Sequence, residues 1–430
     1  MGPSPALARE RFTQGTSINN LLSYSRKSEF ATQAAAFAPE NLGKVMSKWD
    51  FSAEDFDFRR KRVREAIAQA GLDWFVVFHP VSIHWLTGSD AKSYQEFQCL
   101  LISAEPGDVI VLTREGERNE FQDDALVDQL WTFGHPEPED PVLLFERIAQ
   151  SVGLRQARVG MEVPAYYLHP HHYVRIKEFL GSSLVTEPTN LIHDLKLVKS
   201  ATELKYIREA SRITDVAMDV FAKGIHEGVS ELELAGDVYH SLFHNGSGMS
   251  ASPINLVSGP RSSFSHGAPT SRKLQRGDIG SVEYGATFKR YTSTIGRQFS
   301  LGRPSPRGRE IYEVVREASD ACIAEIRSGV PAVVPHRAAK RVIEAAGMDH
   351  GRVHTTGYGL APGFPPTWGE PLHMLGDSTY TMQAGMVITI EPPVFLGPEF
   401  LGARIIDNVL VTEQGAELLS RYPRDMIIVD

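Results

Sequence analysis

Residues 281–299, with the sequence SVEYGATFKRYTSTIGRQF, decide the fold of this 430-residue chain. The turn signal Gly277-Asp278 precedes the stretch, and apolar or aromatic side chains then alternate with polar ones, through Val282, Tyr284, Tyr291, Ile295 and Phe299. Alternation with a period of two is typical of strands with one buried face, so the stretch predicts a β-hairpin. Glu283 lies on the first predicted strand and Thr294, eleven positions later, on the second.

The composition predicts an ordinary soluble globular protein of two domains. Apolar residues make up 42% and charged residues 23% of the chain. The net charge of −9 is not concentrated in blocks, which argues against nucleic-acid or anionic-membrane partners. No apolar run approaches the ~18 residues of a membrane span, and the N-terminus lacks the apolar centre of a signal peptide. Cys99 and Cys322 are expected to be free, buried thiols, and the location is expected to be cytoplasmic.

Three regions follow from the order of the helical and β patterns. Residues 1–50 are rich in small and polar residues, and we predict that they form an N-terminal extension. Residues 51–195 alternate helical stretches with short apolar runs, which predicts an α/β domain. Residues 196–430 show a helix–helix–hairpin order twice, which predicts an α+β domain with an internal duplication. Three helix starts carry the capping-box pattern, at Ser52, Ser200 and Ser230.

Two glutamates mark a candidate site. Glu283 and Glu391 are predicted on β segments of the two halves, so the duplication should bring them face to face across a cleft. Carboxylates in such a position suggest a pair with separated pKa values, as acid–base catalysis requires.

Several motifs resemble the creatinase/aminopeptidase P-type (pita-bread) enzymes: the hairpin, Ser-His-Gly-Ala-Pro at 265–269, Thr-Gly-Tyr-Gly at 356–359, Thr-Ile-Glu-Pro-Pro at 389–393 and Arg-Ile-Ile-Asp-Asn at 404–408. The resemblance implies a creatinase-type α/β N-terminal domain and an α+β pita-bread C-terminal domain with the duplication. It also implies that His266 carries a proton near the scissile bond. In metal-using members five ligands hold two divalent ions, and the corresponding residues here are Glu283, Thr294, Tyr358, Glu391 and Ile406. Isoleucine cannot ligate, and neutral tyrosine and threonine ligate poorly, so no metal and no other cofactor is expected.

Residues 356–370, TGYGLAPGFPPTWGE, are most similar to ectoine hydrolase, a metal-independent member of this superfamily. The expected function is therefore hydrolytic opening of a small cyclic amidine, most of all ectoine. The resemblance makes Glu283 the nucleophile or general base, His266 the proton carrier and Glu391 the third catalytic residue. A carboxylate suits this chemistry because it can pair with the cationic amidinium and then attack its carbon or activate water.

Other side chains are expected to bind a small zwitterionic substrate. Tyr358 and Trp368 would stack on the flat ring, and Glu370 would be a second partner for the amidinium. Arg404 would hold the substrate carboxylate, with Arg297 as the second choice.

Three aromatic residues complete the expected site. Tyr291 ends the hairpin segment that shares the resemblance, and it is expected to contact the substrate. Trp85 and Tyr94 are expected to form an exposed aromatic stretch that closes the cleft of the partner subunit in a homodimer.

Two other classes of function stay open at this point. One is another small-molecule enzyme of the same fold, such as a creatinase-like amidinohydrolase, a dimethylsulfoniopropionate lyase or an Xaa-Pro dipeptidase. The other is a non-catalytic pita-bread protein that binds a ligand without converting it.

Overall fold

The structure is a computed structural model that describes residues 47–187 and 189–430. Of the predicted N-terminal extension, residues 1–46 lie outside the described residues. Within the described ranges, no helix combines the length and the apolar character that crossing a bilayer requires. Cys99 and Cys322 are both buried and free, as expected.

The N-terminal domain is a six-stranded sheet between helices, with the strand order β4-β3-β2-β1-β5-β6. Strands β1, β2 and β3 are almost entirely buried, because apolar side chains pack on both faces of the sheet in two separate clusters. The strands β1 to β6 span Trp74–Val77, Cys99–Ser103, Ile110–Arg114, Gln129–Phe133, Val159–Met161 and Leu184–Thr186. The helices α1 to α6 span Ala53–Gln69, Pro80–Thr87, Arg118–Asp124, Pro141–Ser151, Pro170–Leu180 and Leu191–Lys196.

The C-terminal domain contains the predicted duplication. Helices α7 (Ala201–Gly224) and α8 (Glu231–His244) pack on strands β8 (Ile279–Phe288) and β9 (Tyr291–Leu301). Helices α9 (Pro306–Ala324) and α10 (Val333–Ala345) pack in the same way on the second set of strands. Those strands and the remaining ones are β7 (Asn255–Ser258), β10 (Gly357–Phe364), β11 (Thr367–His373), β12 (Val387–Ile390), β13 (Val394–Leu396), β14 (Leu401–Ala403), β15 (Asp407–Val411), β16 (Ala416–Leu418) and β17 (Ile427–Val429).

One nine-stranded sheet joins the two halves, in the order β16-β15-β12-β10-β9-β8-β7, with β11 beside β10 and β17 beside β9. Because strands from both halves share this sheet, side chains from the first hairpin and from β10 and β12 can meet in one cleft. The predicted capping boxes at Ser52, Ser200 and Ser230 are all present at helix starts. The predicted fold is therefore confirmed, and the boundary between residues 195 and 196 stays a prediction.

The central hairpin is confirmed, and its turn is unusual. Lys289 and Arg290 link β8 to β9 with φ values of 53° and 66°, the left-handed region that favours glycine. Both side chains reach residues before and within the N-terminal domain. Lys289 Nζ lies 2.7 Å from Asp50 Oδ1, and Arg290 is paired with Asp90. These ion pairs connect the turn to residues near the start of the described chain and to the N-terminal domain.

Candidate active site

Glu283 lies on β8 and is held from two sides. Asn255, its direct cross-strand partner on β7, donates from Nδ2 to Glu283 Oε2 at 2.9 Å. The guanidinium of Arg404 pairs with the same oxygen and also donates to the backbone carbonyl of Ser265. The contact with Ser265 places the following residue, His266, beside this group. Arg404 therefore links the first hairpin to the loop that carries the candidate proton carrier.

Glu391 directly follows β12 and is 4% exposed. Its Oε1 atom has no hydrogen-bond partner among the described residues. Burial raises the pKa of Glu391 well above its usual range, and the negative charge of Glu283 raises it further. The charge of Arg404 and a hydrogen bond from Tyr358 oppose the shift without cancelling it. The two glutamates therefore have different environments: Glu283 is ion-paired, and Glu391 is buried with a raised pKa.

A second histidine lies between His266 and Glu391. The rings of His266 and His354 are 5.4 Å apart, and His354 Nδ1 lies 3.9 Å from Glu391 Oε1. Burial lowers the pKa of His354, so the neutral imidazole is favoured. His354 was not among the residues expected in the site, although it stands only two positions before the Thr-Gly-Tyr-Gly motif at 356–359.

A cavity of about 210 Å³ opens onto this group. Aromatic rings form one wall, where Trp368 Nε1 donates to Tyr358 Oη at 3.0 Å. Burial raises the pKa of Tyr358 well above its usual range, so the phenol stays neutral. The structure thus places Glu283, His266, Tyr358 and Trp368 in one pocket. The residues lining it are Ser252, Asn255, His266, Glu283, Tyr358, Pro366, Thr367, Trp368, Gly369 and His373.

The remaining positions that correspond to metal ligands are occupied by internal contacts. Asn408 donates from Nδ2 to Thr294 Oγ1 at 2.9 Å and accepts from the Thr294 backbone N–H at 2.6 Å. Ile406 packs directly on Gly296, where a Cβ would lie 2.8 Å from Ile406 Cγ1. Among the described residues no group of three or more His, Cys, Asp or Glu side chains could hold a metal ion. This donor set does not fit a pair of divalent ions.

Two of the expected substrate contacts are directed instead to a single buried carboxylate. Glu203 Oε1 accepts from Trp85 Nε1 at 3.0 Å and from Tyr291 Oη at 2.7 Å. Arg59 Nη2 lies 3.4 Å from the same oxygen. Because Trp85 comes from the N-terminal domain and Tyr291 from the hairpin, this carboxylate ties the two domains together. Neither aromatic residue lines the cavity described above.

Glu370 and Tyr94 also lie away from the cavity. Glu370 pairs with Lys199 at 2.6 Å, and both side chains are fully buried. Tyr94 is 6% exposed and packs against Phe364 with 5.3 Å between ring centroids. The expectation that Trp85 and Tyr94 form an exposed stretch is wrong, because both are buried within their own chain. The homodimer and the cytoplasmic location stay predictions.

The two arginines considered for a substrate carboxylate are both engaged. Arg404 is 5% exposed and is paired with Glu283. Arg297 is 1% exposed and pairs with Asp407 at 2.9 Å. Among the described residues, Arg404 donates to Glu283 and to the Ser265 carbonyl, and Arg297 donates to Asp407. Neither guanidinium is therefore left unpaired for a substrate carboxylate.

Comparison with known proteins identifies relatives for both domains. Residues 205–413 match the family model described as metallopeptidase family M24, and residues 59–198 match the creatinase/prolidase N-terminal domain. An Xaa-Pro dipeptidase of Pyrococcus furiosus is 32% identical over 258 residues, which cover 59% of this chain and 73% of that protein. A putative dipeptidase of Bacillus subtilis is 28% identical over 379 residues, covering 86% and 99%. A solved dipeptidase structure from Mycobacterium ulcerans matches with a TM-score of 0.78 and 26% identity, covering 88% and 99%.

These comparisons confirm the superfamily and correct the expected function. The expectation of an ectoine hydrolase is wrong, because the relatives found are Xaa-Pro dipeptidases and other dipeptidases. The expected metal-independent class of enzyme is likewise contradicted, since the matching model is one of metallopeptidases. The side chains at the five ligand positions nevertheless do not fit such a metal centre.

Proposed function

The chain belongs to metallopeptidase family M24, and on this premise we propose that it hydrolyses dipeptides of the Xaa-Pro type. The observation that carries the proposal is the 32% identity over 73% of an Xaa-Pro dipeptidase. The cavity supports a small substrate, because about 210 Å³ is below the range of ordinary drug-sized ligand pockets. Its walls include Pro366, Tyr358 and Trp368, whose flat surfaces suit the ring of a proline residue.

Hydrolysis of a peptide bond needs a base for the attacking water, a donor for the carbonyl oxygen and a proton for the departing nitrogen. Glu283 is suited to take the proton from water, because Asn255 and Arg404 fix the orientation of its carboxylate. Tyr358 lines the cavity with a neutral phenol and is suited to donate a hydrogen bond to the carbonyl oxygen as negative charge develops there. Glu391 is not among the lining residues, and its raised pKa suits it as a source of the proton behind them.

His266 is suited to deliver the proton to the nitrogen. It lines the cavity together with Glu283, and its ring lies 5.4 Å from that of His354. His354 in turn lies 3.9 Å from Glu391. The two imidazoles therefore lie between Glu391 and the cavity.

The test is release of free proline, followed by NMR, from Ala-Pro and Met-Pro, with Pro-Ala as the reversed control. The assay is run with and without added Mn²⁺, so that a metal requirement is measured rather than assumed. Glu283→Gln should lower kcat/KM by ~10²–10⁴, the usual share of a positioned acid–base group. The matched control is Glu417→Gln, a glutamate exposed on β16 whose contact is a surface ion pair with Arg208.

Wild-type protein that releases no proline under either condition would refute the proposed substrate. Activity of Glu283→Gln within a fewfold of wild type would refute the proposed role of this residue while leaving the substrate intact. A substrate that binds the wild type without turnover would instead favour a non-catalytic binding protein.

A further inference from the structure

The loop between β10 and β11 forms one wall of the cavity. Pro366, Thr367 and Trp368 all line it, and the loop begins at Phe364, which pairs with Thr367 across the turn. The position of this short loop therefore sets the width of the pocket at that wall.

A tyrosine from the N-terminal domain holds the loop by its backbone. The hydroxyl of Tyr167 lies 2.9 Å from the carbonyl oxygen of Phe364 and 3.0 Å from that of Pro365, and its single hydrogen is shared between these two acceptors. These two residues lie almost 200 positions further along the chain. Both acceptors are main-chain atoms immediately before the lining residues, so the contact acts on the course of the loop itself.

The side chain of Phe364 packs against residues of the N-terminal domain and of the hairpin turn. Tyr94 packs on it at 5.3 Å between ring centroids, His84 at 5.8 Å, and the guanidinium of Arg290 lies 4.2 Å from its centroid. Phe364 is 1% exposed. Tyr167 thus adds hydrogen bonds to a loop whose first residue is already anchored by packing.

Tyr167 adopts a backbone conformation that is uncommon for its residue type. Its φ value of 75° lies in the left-handed region, which costs free energy for any residue except glycine. Its ring lies 5.1 Å from that of His79 and 5.9 Å from that of Tyr94, so neighbours on its own domain define its direction. The neighbouring Tyr166 is 53% exposed and makes no such contacts with the loop among the described residues.

We propose that Tyr167 is a positioning residue of the active site, which fixes the loop at 364–368 and thereby determines how tightly the pocket closes on its substrate. The expected effect on substrate binding rests on the proposed function, whereas the expected effect on the mobility of the loop does not. Without the hydroxyl, the carbonyls of Phe364 and Pro365 lose the donor they share, and the partly buried loop gains freedom to move away from the cavity. Substrate binding should weaken, while the catalytic groups on β8 and after β12 keep their places.

The experiment compares Tyr167→Phe with Tyr166→Phe. Each variant removes one hydroxyl and keeps the ring, and only the first removes a contact with the loop. Hydrogen exchange followed by mass spectrometry should show faster exchange in peptides covering residues 357–373 in Tyr167→Phe alone, by about threefold or more, with helix α7 as an internal reference. With Ala-Pro as substrate, KM should rise about three- to tenfold, as loss of about one hydrogen bond implies, and kcat should stay within twofold.

Unchanged exchange at 357–373 in Tyr167→Phe would overturn the proposal. So would equal effects in both variants, or faster exchange that extends to helix α7, because each would show a general effect of losing a hydroxyl. A fall in kcat with unchanged KM would also count against it. If the wild type cleaves no dipeptide, the proposed function fails, and the exchange comparison still decides the role of Tyr167.

Discussion

Glu370 provides a prediction whose size follows from its surroundings. This carboxyl group is fully buried, and burial raises its pKa from 4.5 to about 7 despite the opposing charge of Lys199 at 2.6 Å. One of its oxygens, Oε1, has no hydrogen-bond partner among the described residues. Ionisation of Glu370 therefore requires more free energy in the folded protein than in the unfolded chain.

The sign follows from linkage. The folded protein binds the Glu370 proton more tightly than the unfolded chain, so the stability contributed by this group is fully present below pH 4.5. It is lost progressively as the pH rises through about 7. A shift of this size corresponds to about 3 kcal/mol, at about 1.4 kcal/mol for each pH unit.

The perturbation is Glu370→Gln, which keeps the shape and can still accept from Lys199 but cannot ionise. The free energy of unfolding is measured by urea denaturation at pH 5 and pH 8 for both proteins. The wild type should lose about 2.5 kcal/mol relative to the variant over this interval, because the unfolded carboxyl is already mostly ionised at pH 5. Parallel curves for the two proteins would refute the reasoning, since they would mean that Glu370 ionises in the folded protein as readily as in the unfolded chain.

Three further changes test contacts described above. Arg404→Gln removes the cation beside Glu283 and should lower kcat/KM by at least ~10²-fold in the proline-release assay; near-normal turnover would mean that the ion pair does not orient the carboxylate. Tyr291→Phe removes one donor from Glu203 and should cost about 1–3 kcal/mol of unfolding free energy with kcat within twofold, whereas a large loss of kcat at full stability would return Tyr291 to the active site. Asn408→Leu leaves Ser293 and Thr294 without their buried partner and should cost about 2–3 kcal/mol by the same denaturation measurement; unchanged stability would contradict the assigned network.

Local patterns in the sequence were sufficient to predict the central hairpin, the helix starts and the internal duplication. The alternation in residues 281–299 indicated the strand pair, which has one continuous register from Ile279 opposite Ser300 to Phe288 opposite Tyr291. The expectation of one buried face was wrong, because both strands are buried on both faces. The capping boxes depend on atoms three residues apart, so they too can be recognised from a short stretch. The duplication was visible because each half repeats the same order of helices and strands.

Contacts between residues far apart in the sequence could not be predicted from these local patterns. Trp85 was expected to close the cleft of a partner subunit, and Tyr291 was expected in the site because its segment shares the resemblance. The polar atoms of both side chains bind Glu203 instead, 118 and 88 positions away. Glu370 was expected to face a cation of the substrate, and it faces Lys199 instead. Asn255 was missed because its contact with Glu283 depends on the pairing of β7 with β8. His354 was missed because its position near Glu391 depends on the folded cleft.

The wrong function had a related cause. The residues at the five positions that correspond to metal ligands indicate which ligands are missing. They do not indicate which side chains occupy the space of the metal ions. In this chain Asn408 and Arg404 fill part of it with hydrogen bonds of their own. The relationship to dipeptidases is spread over both domains, and no single motif carries it.

The turn at Lys289 and Arg290 also has a practical consequence for anyone handling the protein. It offers two adjacent cleavage sites for trypsin at the tip of a long hairpin, where proteases ordinarily act first. Both side chains are engaged by Asp50 and Asp90, so a protease can seat neither of them while the domains remain docked. Cleavage after residue 289 or 290 would therefore report the breaking of these two ion pairs, and its rate would measure how often the turn leaves Asp50 and Asp90.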